Sequence, residues 1–274
     1  MPNPPLQVNV LQDKIVLMGG VWMNHSVMNP RDTEVKITKA LSQTNSPGTG
    51  LLYRLQSFGQ GNDHPLLCRW HPRLEEATGF GVRMALLDSG LDWHHPRFDG
   101  ATIQGRDFTG SGSLADGTGH GTQMAALLVG NGGLIPNATL LFGKVLKSSP
   151  SAKTDQYIAR GIQWAVQQRA DILALPLGRT RPSRAIQVAV ENAIAAGIQV
   201  FAAAGSRDPH RVLFPANLPD VIAVTGADDS GTILPGCARG LGVSCIALGE
   251  LPSPIACEPT DPSLPSEAIP PLVG

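Results

Sequence analysis

The chain has 274 residues, of which 42% are apolar and 16% charged, and its formal net charge is −1. That length suits one large domain, or one domain with an appendage, and the composition supports a sizeable core rather than wholesale disorder. There is no basic block to mark nucleic acid or an anionic membrane as a partner, and no apolar run reaches the roughly 18–20 residues of a membrane span. The longest early run, residues 15–23, is broken by Gly19 and Gly20 and lacks a small-residue cleavage site. It does not read as a signal peptide, which tilts the expected compartment toward the cytoplasm.

Residues 1–65 carry weak strand-like stretches (8–10, 15–17 and 33–38) separated by loops at 45–50 and 60–65. They read as a pro-segment or a decoration, with a boundary near residue 65. From Leu66 the pattern sharpens. Residues 70–78 can form a short helix stopped by Gly79. Residues 82–87 are a buried strand that runs straight into Asp88-Ser-Gly. Residues 93–119 read as loop and polar connection.

Next comes Asp116-Gly-Thr-Gly-His-Gly-Thr, followed by an apolar run over 122–129 that reads as a buried helix. His120 therefore stands where a flexible turn becomes a helix, and the flanking Gly119 and Gly121 are expected to supply unusual backbone angles. An imidazole held there is well placed as a general base, because histidine titrates near neutral pH. Alone, such a histidine is more often an ordinary loop residue.

Strands follow at 138–146, 171–175, 198–204 and 221–226, with helices at 154–169 and 183–196, the latter stopped by Gly197. Tyr157, Ile158, Gly161, Ile162, Ala165 and Val166 share one helical face, and Trp164 reads as core. Apolar strands alternating with helices predict an α/β fold: a doubly wound, mostly parallel sheet with helices on both faces. The unit spans 66–250. Residues 251–274 form a tail, and seven of residues 250–274 are proline.

The polar groups gather at strand and helix ends, where open α/β sheets keep their chemistry. Asp88 closes one strand, Gly205-Ser206 follows another, and His120 opens a helix. A carboxylate that orients an imidazole, a base that takes a nucleophile's proton, and donors aimed at an oxyanion make up serine hydrolysis.

The segment 82–92, with His95-Pro96 after it, resembles the Asp motif of the subtilisin-like serine proteases, the subtilases. Gly119-His-Gly-Thr-Gln-Met-Ala126 is similar to their His motif, in the family's order and at a family-like separation. The resemblance continues through 161–165, 171–178, 197–206, 214–216, 221–226 and 246–249, so that it covers about residues 66–250. It implies a three-layer subtilisin-like fold and a serine endopeptidase that hydrolyses peptide bonds by an Asp–His–Ser mechanism. Asp88 would orient and His120 would act as base. Leu175, Pro176, Leu177 and Gly178 would form an edge strand that pairs with peptide or protein substrate.

Two motifs depart from the family pattern. Ser206 stands where the family has an asparagine whose amide stabilises the oxyanion. A serine hydroxyl is shorter, and loss of such a donor costs on the order of 10²–10³ in kcat. The family's nucleophile motif is replaced by Leu264-Pro265-Ser266-Glu-Ala-Ile-Pro270, which keeps the serine, the alanine two residues on and the proline four on. Ser266 is the expected nucleophile on that match. The alternative is a catalytically inactive, peptide-binding module or a truncated pseudoprotease. The family's C-terminal helices have no counterpart in the sequence, so a partner segment is expected over the face they would cover.

No cofactor is required by this chemistry. Subtilases often hold structural calcium, but Asp107, Asp116 and Asp228-Asp229 follow no EF-hand-like pattern and calcium stays unassigned. His94 and His95 with Asp92 and Asp99 fit no standard zinc spacing, nor do Cys68, Cys237, Cys245 and Cys257. A disulfide among the last three cysteines and free thiols are equally compatible with the sequence. Arg179 and Arg181, beside the substrate segment, read as solvated.

Overall fold

The computed structural model describes residues 66–67, 78–149, 151–228 and 231–249. Eight strands form one sheet: β1 (Leu66–Leu67), β2 (Arg83–Asp88), β3 (Thr102–Asp107), β4 (Thr139–Lys144), β5 (Ile172–Leu175), β6 (Gln199–Ala203), β7 (Ile222–Ala227) and β8 (Cys245–Leu248). Their order is β1-β8-β7-β6-β5-β2-β4-β3, and every pairing in it is parallel. Among the described residues three α-helices pack on it: α1 (His120–Val129), α2 (Thr154–Gln167) and α3 (Arg184–Ala195).

The strands read as apolar runs because both faces are covered. Successive residues of β2 show it. Met84 and Leu86 join a core with Ala125, Ala126, Leu128 and Val129 of α1, whereas Ala85 and Leu87 join a core with α2 and α3. Neighbours on β5 divide in the same way: Ile172 and Ala174 face the α1 side, Leu173 and Leu175 the other. Such side-to-side alternation is the two-residue period of a strand, hidden in the sequence because both sides are dry. Helix α2 buries Tyr157, Ile158, Gly161, Ile162, Trp164 and Ala165, and Trp164 lies 5.7 Å, ring to ring, from Phe108. Helix α3 ends as expected. Gly197 takes φ +85°, its N–H bonds Ile194 O at 2.9 Å, and the Ile198 N–H bonds Ala193 O at 3.0 Å. That is a Schellman closure.

Strand β3 was not legible in advance; its stretch reads as loop. It is the exposed outer strand beside β4, and Thr102, Gln104, Gly105 and Arg106 are all exposed. An outer strand with little to bury carries no hydrophobic period. Of the helix expected over 70–78 only Thr78 is described, and it is not helical; the segment 1–65 and the tail 251–274 lie outside the described residues, as do Cys68 and Cys257. Cys237 and Cys245 are buried thiols. Among the described residues no helix is long and apolar enough to cross a membrane.

Candidate active site

Strand β2 sits between β5 and β4, with the later strands β6, β7 and β8 on one side and β3 on the other. The carboxyl end of such a central strand opens into a crevice between diverging connections. Asp88 is the last residue of β2 and is 1% exposed. One of its oxygens accepts the Ser89 N–H at 2.6 Å, and both lie 2.9 Å from Nδ1 of His120.

His120 is the first residue of α1. A carboxylate only accepts, so Nδ1 carries the hydrogen and Nε2 is left as the acceptor of the neutral ring. The ring is half-buried, so its second nitrogen is not sealed into the core. Burial by itself lowers the pKa of the imidazole. The hydrogen bond and charge of Asp88, with the charge of Asp116, outweigh it and hold His120 above its ordinary value of 6.5. The raised value stabilises the fold fully below about pH 6.5, and that contribution is lost as pH rises through the folded-state value. Proton acceptance has the opposite dependence and grows above it.

The glycines beside His120 do different jobs. Gly119 has φ +78°, the left-handed backbone expected of it. Gly121 does not; it lies inside the helix. Its role is close packing, since a Cβ there would strike the Gly90 carbonyl oxygen and come within 3.0 Å of Phe142 and 3.1 Å of the Asp88 side chain. The missing side chain lets α1 approach β2 closely enough for the histidine to reach the aspartate.

Asp107 and Asp116, two of the carboxylates left without a calcium pattern, are tied into their loops. Asp107 accepts hydrogen bonds from Thr109 N and Oγ1, Ser111 Oγ and Gly112 N. Although desolvation pushes its pKa up, these donors hold it below the usual value. Asp116 is 1% exposed and surrounded by hydroxyls of Ser89, Thr118 and Thr122. It belongs to the support of the His120 turn, a role that only the fold reveals. His95 accepts the Arg97 N–H at 3.1 Å and so caps a short 3-10 helix, Pro96–Phe98, as loop structure. Among the described residues no group of three or more His, Cys, Asp or Glu is arranged to hold a metal ion.

The proposed substrate segment needs one correction. Leu175 is not at an edge. Strand β5 lies between β2 and β6, Leu175 pairs with Ala202, and its side chain is 1% exposed within the core. Only Pro176, Leu177 and Gly178 run on past the ladder, before Arg179 pairs with Phe214 in an antiparallel bridge. Arg179 is not simply solvated either. Its guanidinium forms an ion pair with Asp155 in the first turn of α2. Both side chains are about one-third exposed, so Arg179→Gln is expected to change unfolding free energy by less than ~1 kcal/mol in urea titrations.

Ser206 follows Gly205 beyond the end of β6 and is half-buried. Because β2, β5 and β6 are parallel neighbours, Asp88, residues 176–178 and Ser206 emerge at one edge of the sheet. Ser266 lies outside the described residues.

A carboxylate–imidazole pair at the carboxyl edge of a parallel sheet is equipment of serine hydrolases. Residues 79–254 match the model of the subtilase family, and the chain belongs to that family. It is 35% identical over 179 residues to alkaline elastase YaB of Bacillus sp. (strain YaB), a match covering 63% of this chain and 46% of the relative. It is 35% identical over 165 residues to subtilisin E of Bacillus subtilis (strain 168), covering 56% and 42%. The chain thus spans less than half the length of these relatives. Among solved structures, Sphericase superposes with a TM-score of 0.57 at 28% identity, covering 63% of this chain and 67% of the other. The self-cleaved protease domain of PatA does so at 0.56 and 28%, covering 63% and 69%.

Proposed function

We propose that the chain is a serine endopeptidase in which Asp88 orients His120 and His120 activates Ser266. The observation that carries this reading is the contact between the buried Asp88 carboxylate and Nδ1 of His120, 2.9 Å to each oxygen. With Nδ1–H held by Asp88, Nε2 takes the proton from the serine hydroxyl as Oγ attacks the peptide carbonyl. The imidazolium that forms is stabilised by the same carboxylate. It then protonates the departing amine, and water repeats the cycle on the acyl-enzyme. In this reading Ser206 donates to the oxyanion, and the main chain of residues 176–178 pairs with the extended substrate. The family relationship supports peptide substrates; the name of alkaline elastase YaB describes that relative and is no guide to preference here.

A second reading follows from Leu264-Pro265 before Ser266 and from serine at position 206. It is a subtilase module that keeps the acid–base pair and binds peptide without cleaving it. A fluorophosphonate probe separates the two. Labelling that maps to Ser266 and disappears in Ser266→Ala supports the peptidase. A chain with an unchanged circular dichroism spectrum that takes up no label supports the binding module. Label on another serine reassigns the nucleophile.

A further inference from the structure

We propose that Asp116, buried beneath the turn that carries His120, is a positioning residue for the general base: it ties that turn to the end of β2 and keeps a second negative charge near the imidazole. The inference rests on the reading of His120 as base.

The first turn of a helix has unpaired N–H groups that need acceptors. In α1 the N-cap is Gly119, which has no side chain to offer. The acceptors come from elsewhere. The Gly121 N–H donates to Ser89 Oγ at 3.1 Å, and the Thr122 N–H donates to Asp116 Oδ2 at 2.9 Å. The Thr122 hydroxyl donates to the same oxygen at 2.7 Å and accepts the Asp92 N–H at 3.0 Å. The other oxygen, Oδ1, accepts the Thr118 N–H at 3.0 Å and the Ser89 hydroxyl at 2.9 Å. The Thr118 hydroxyl has a single proton and lies 2.8 Å from Ser89 Oγ but 3.3 Å from Asp116. It therefore donates to Ser89, and it accepts the His120 N–H at 3.3 Å.

The result is a closed set of donors around one buried carboxylate. It joins the residue after Asp88, the loop before His120 and the first turn of α1. Each of these bonds to Asp116 is donated by an N–H or an O–H, a set that suits a group whose two oxygens only accept. The charged residues that meet this network are Asp88 at the end of β2, Asp92 in the loop after it, Asp116 in the loop before α1 and Lys144 at the end of β4. The ammonium of Lys144 donates to Ala115 O at 2.6 Å, one residue from Asp116. Asp88 and Asp116 act on His120 in the same sense, toward holding its proton. The cap thus fixes where the ring stands, and the charge sets when it is free to accept a proton.

The test is an NMR titration of the full chain with labelled histidines, the His120 signal being identified by its loss in His120→Gln. In Asp116→Asn, His120 is expected to titrate at lower pH than in the parent. A role confined to structure would weaken the fold and leave the titration in place. A folded Asp116→Asn chain with the parent's His120 titration overturns the charge contribution. If that variant does not fold, Thr122→Val and Thr122→Ser carry the test. Amide exchange at Gly121 and Thr122 is expected to quicken about tenfold or more in the valine variant and to stay near the parent in the serine variant. Equal exchange in all three overturns the cap. The titration needs no nucleophile, so its outcome is independent of fluorophosphonate labelling. A chain that fails to label while His120 still shifts refutes the peptidase reading and leaves only the action of Asp116 on the imidazole of His120 standing.

Discussion

On the proposed peptidase reading, His120→Ala is expected to lower the rates of fluorophosphonate labelling and of peptide hydrolysis by about 10⁴–10⁶-fold. In the proposed triad His120 is the group that takes the nucleophile's proton, and losses of that order follow removal of such a base. The variant leaves Asp88, 1% exposed, with the Ser89 N–H but without its imidazole partner. A stability cost follows, and it depends on pH. The parent has the full benefit of the raised His120 pKa below about 6.5 and loses it as pH rises through the folded-state value. The difference in unfolding free energy between parent and variant is therefore expected to be largest at mildly acid pH and to narrow toward alkaline pH. Denaturant titrations at several pH values read this directly. Labelling at the parental rate in His120→Ala would remove His120 from the mechanism. A stability difference that widens with pH would mean that Asp88 does not hold the charged ring.

Gly121→Ala is expected to be the most damaging single-methyl change near the site. Alanine is the better helix former by about 1 kcal/mol, so on propensity alone the change should stabilise α1. The contacts decide otherwise. The added Cβ meets a backbone oxygen, that of Gly90, which cannot swing aside as a side-chain tip can. It also presses on Phe142, buried in the α1-side core, and on the side chain of Asp88. Helix α1 has to move away from β2. Overpacking of this kind costs roughly 1–3 kcal/mol, enough to lower the thermal midpoint by roughly 3–10 °C. The same movement draws His120 away from Asp88, so reactivity is expected to fall further than stability alone explains. A variant with unchanged melting and unchanged labelling would show that α1 is not held against β2 in this way. The neighbouring Gly119→Ala separates the mechanisms. There the strain is in the backbone, at φ +78°.

Residues such as Met84 to Leu87 and Phe201 to Ala203 mark strands in any context, because a run of apolar residues between turn signals has few other uses. The same holds for the repeating face of α2 and for Gly197 closing α3. These are local patterns, and each element they predict is present. The pairing of Asp88 with His120 was legible through the motifs on either side, since both sit at the ends of strongly marked elements. Strand β3 was not, because an exposed outer strand has no buried side to impose a period. Leu175 was misplaced at an edge, because its apolar run is the same whether a strand lies inside a sheet or at its border.

What the sequence determined by itself is the alternation of strands and helices, the parallel α/β class and the positions of the aspartate and histidine at element ends. All of these rest on neighbours within a few residues. What only the tertiary structure decided is which groups meet across the chain. Gly121 must be bare because Gly90 and Phe142 lie against it. Asp116 caps a helix whose own N-cap is a glycine, and Arg179 finds Asp155. Contacts of this kind join residues up to tens of positions apart. They arise from the order in which the strands assemble, and no local spacing records that order.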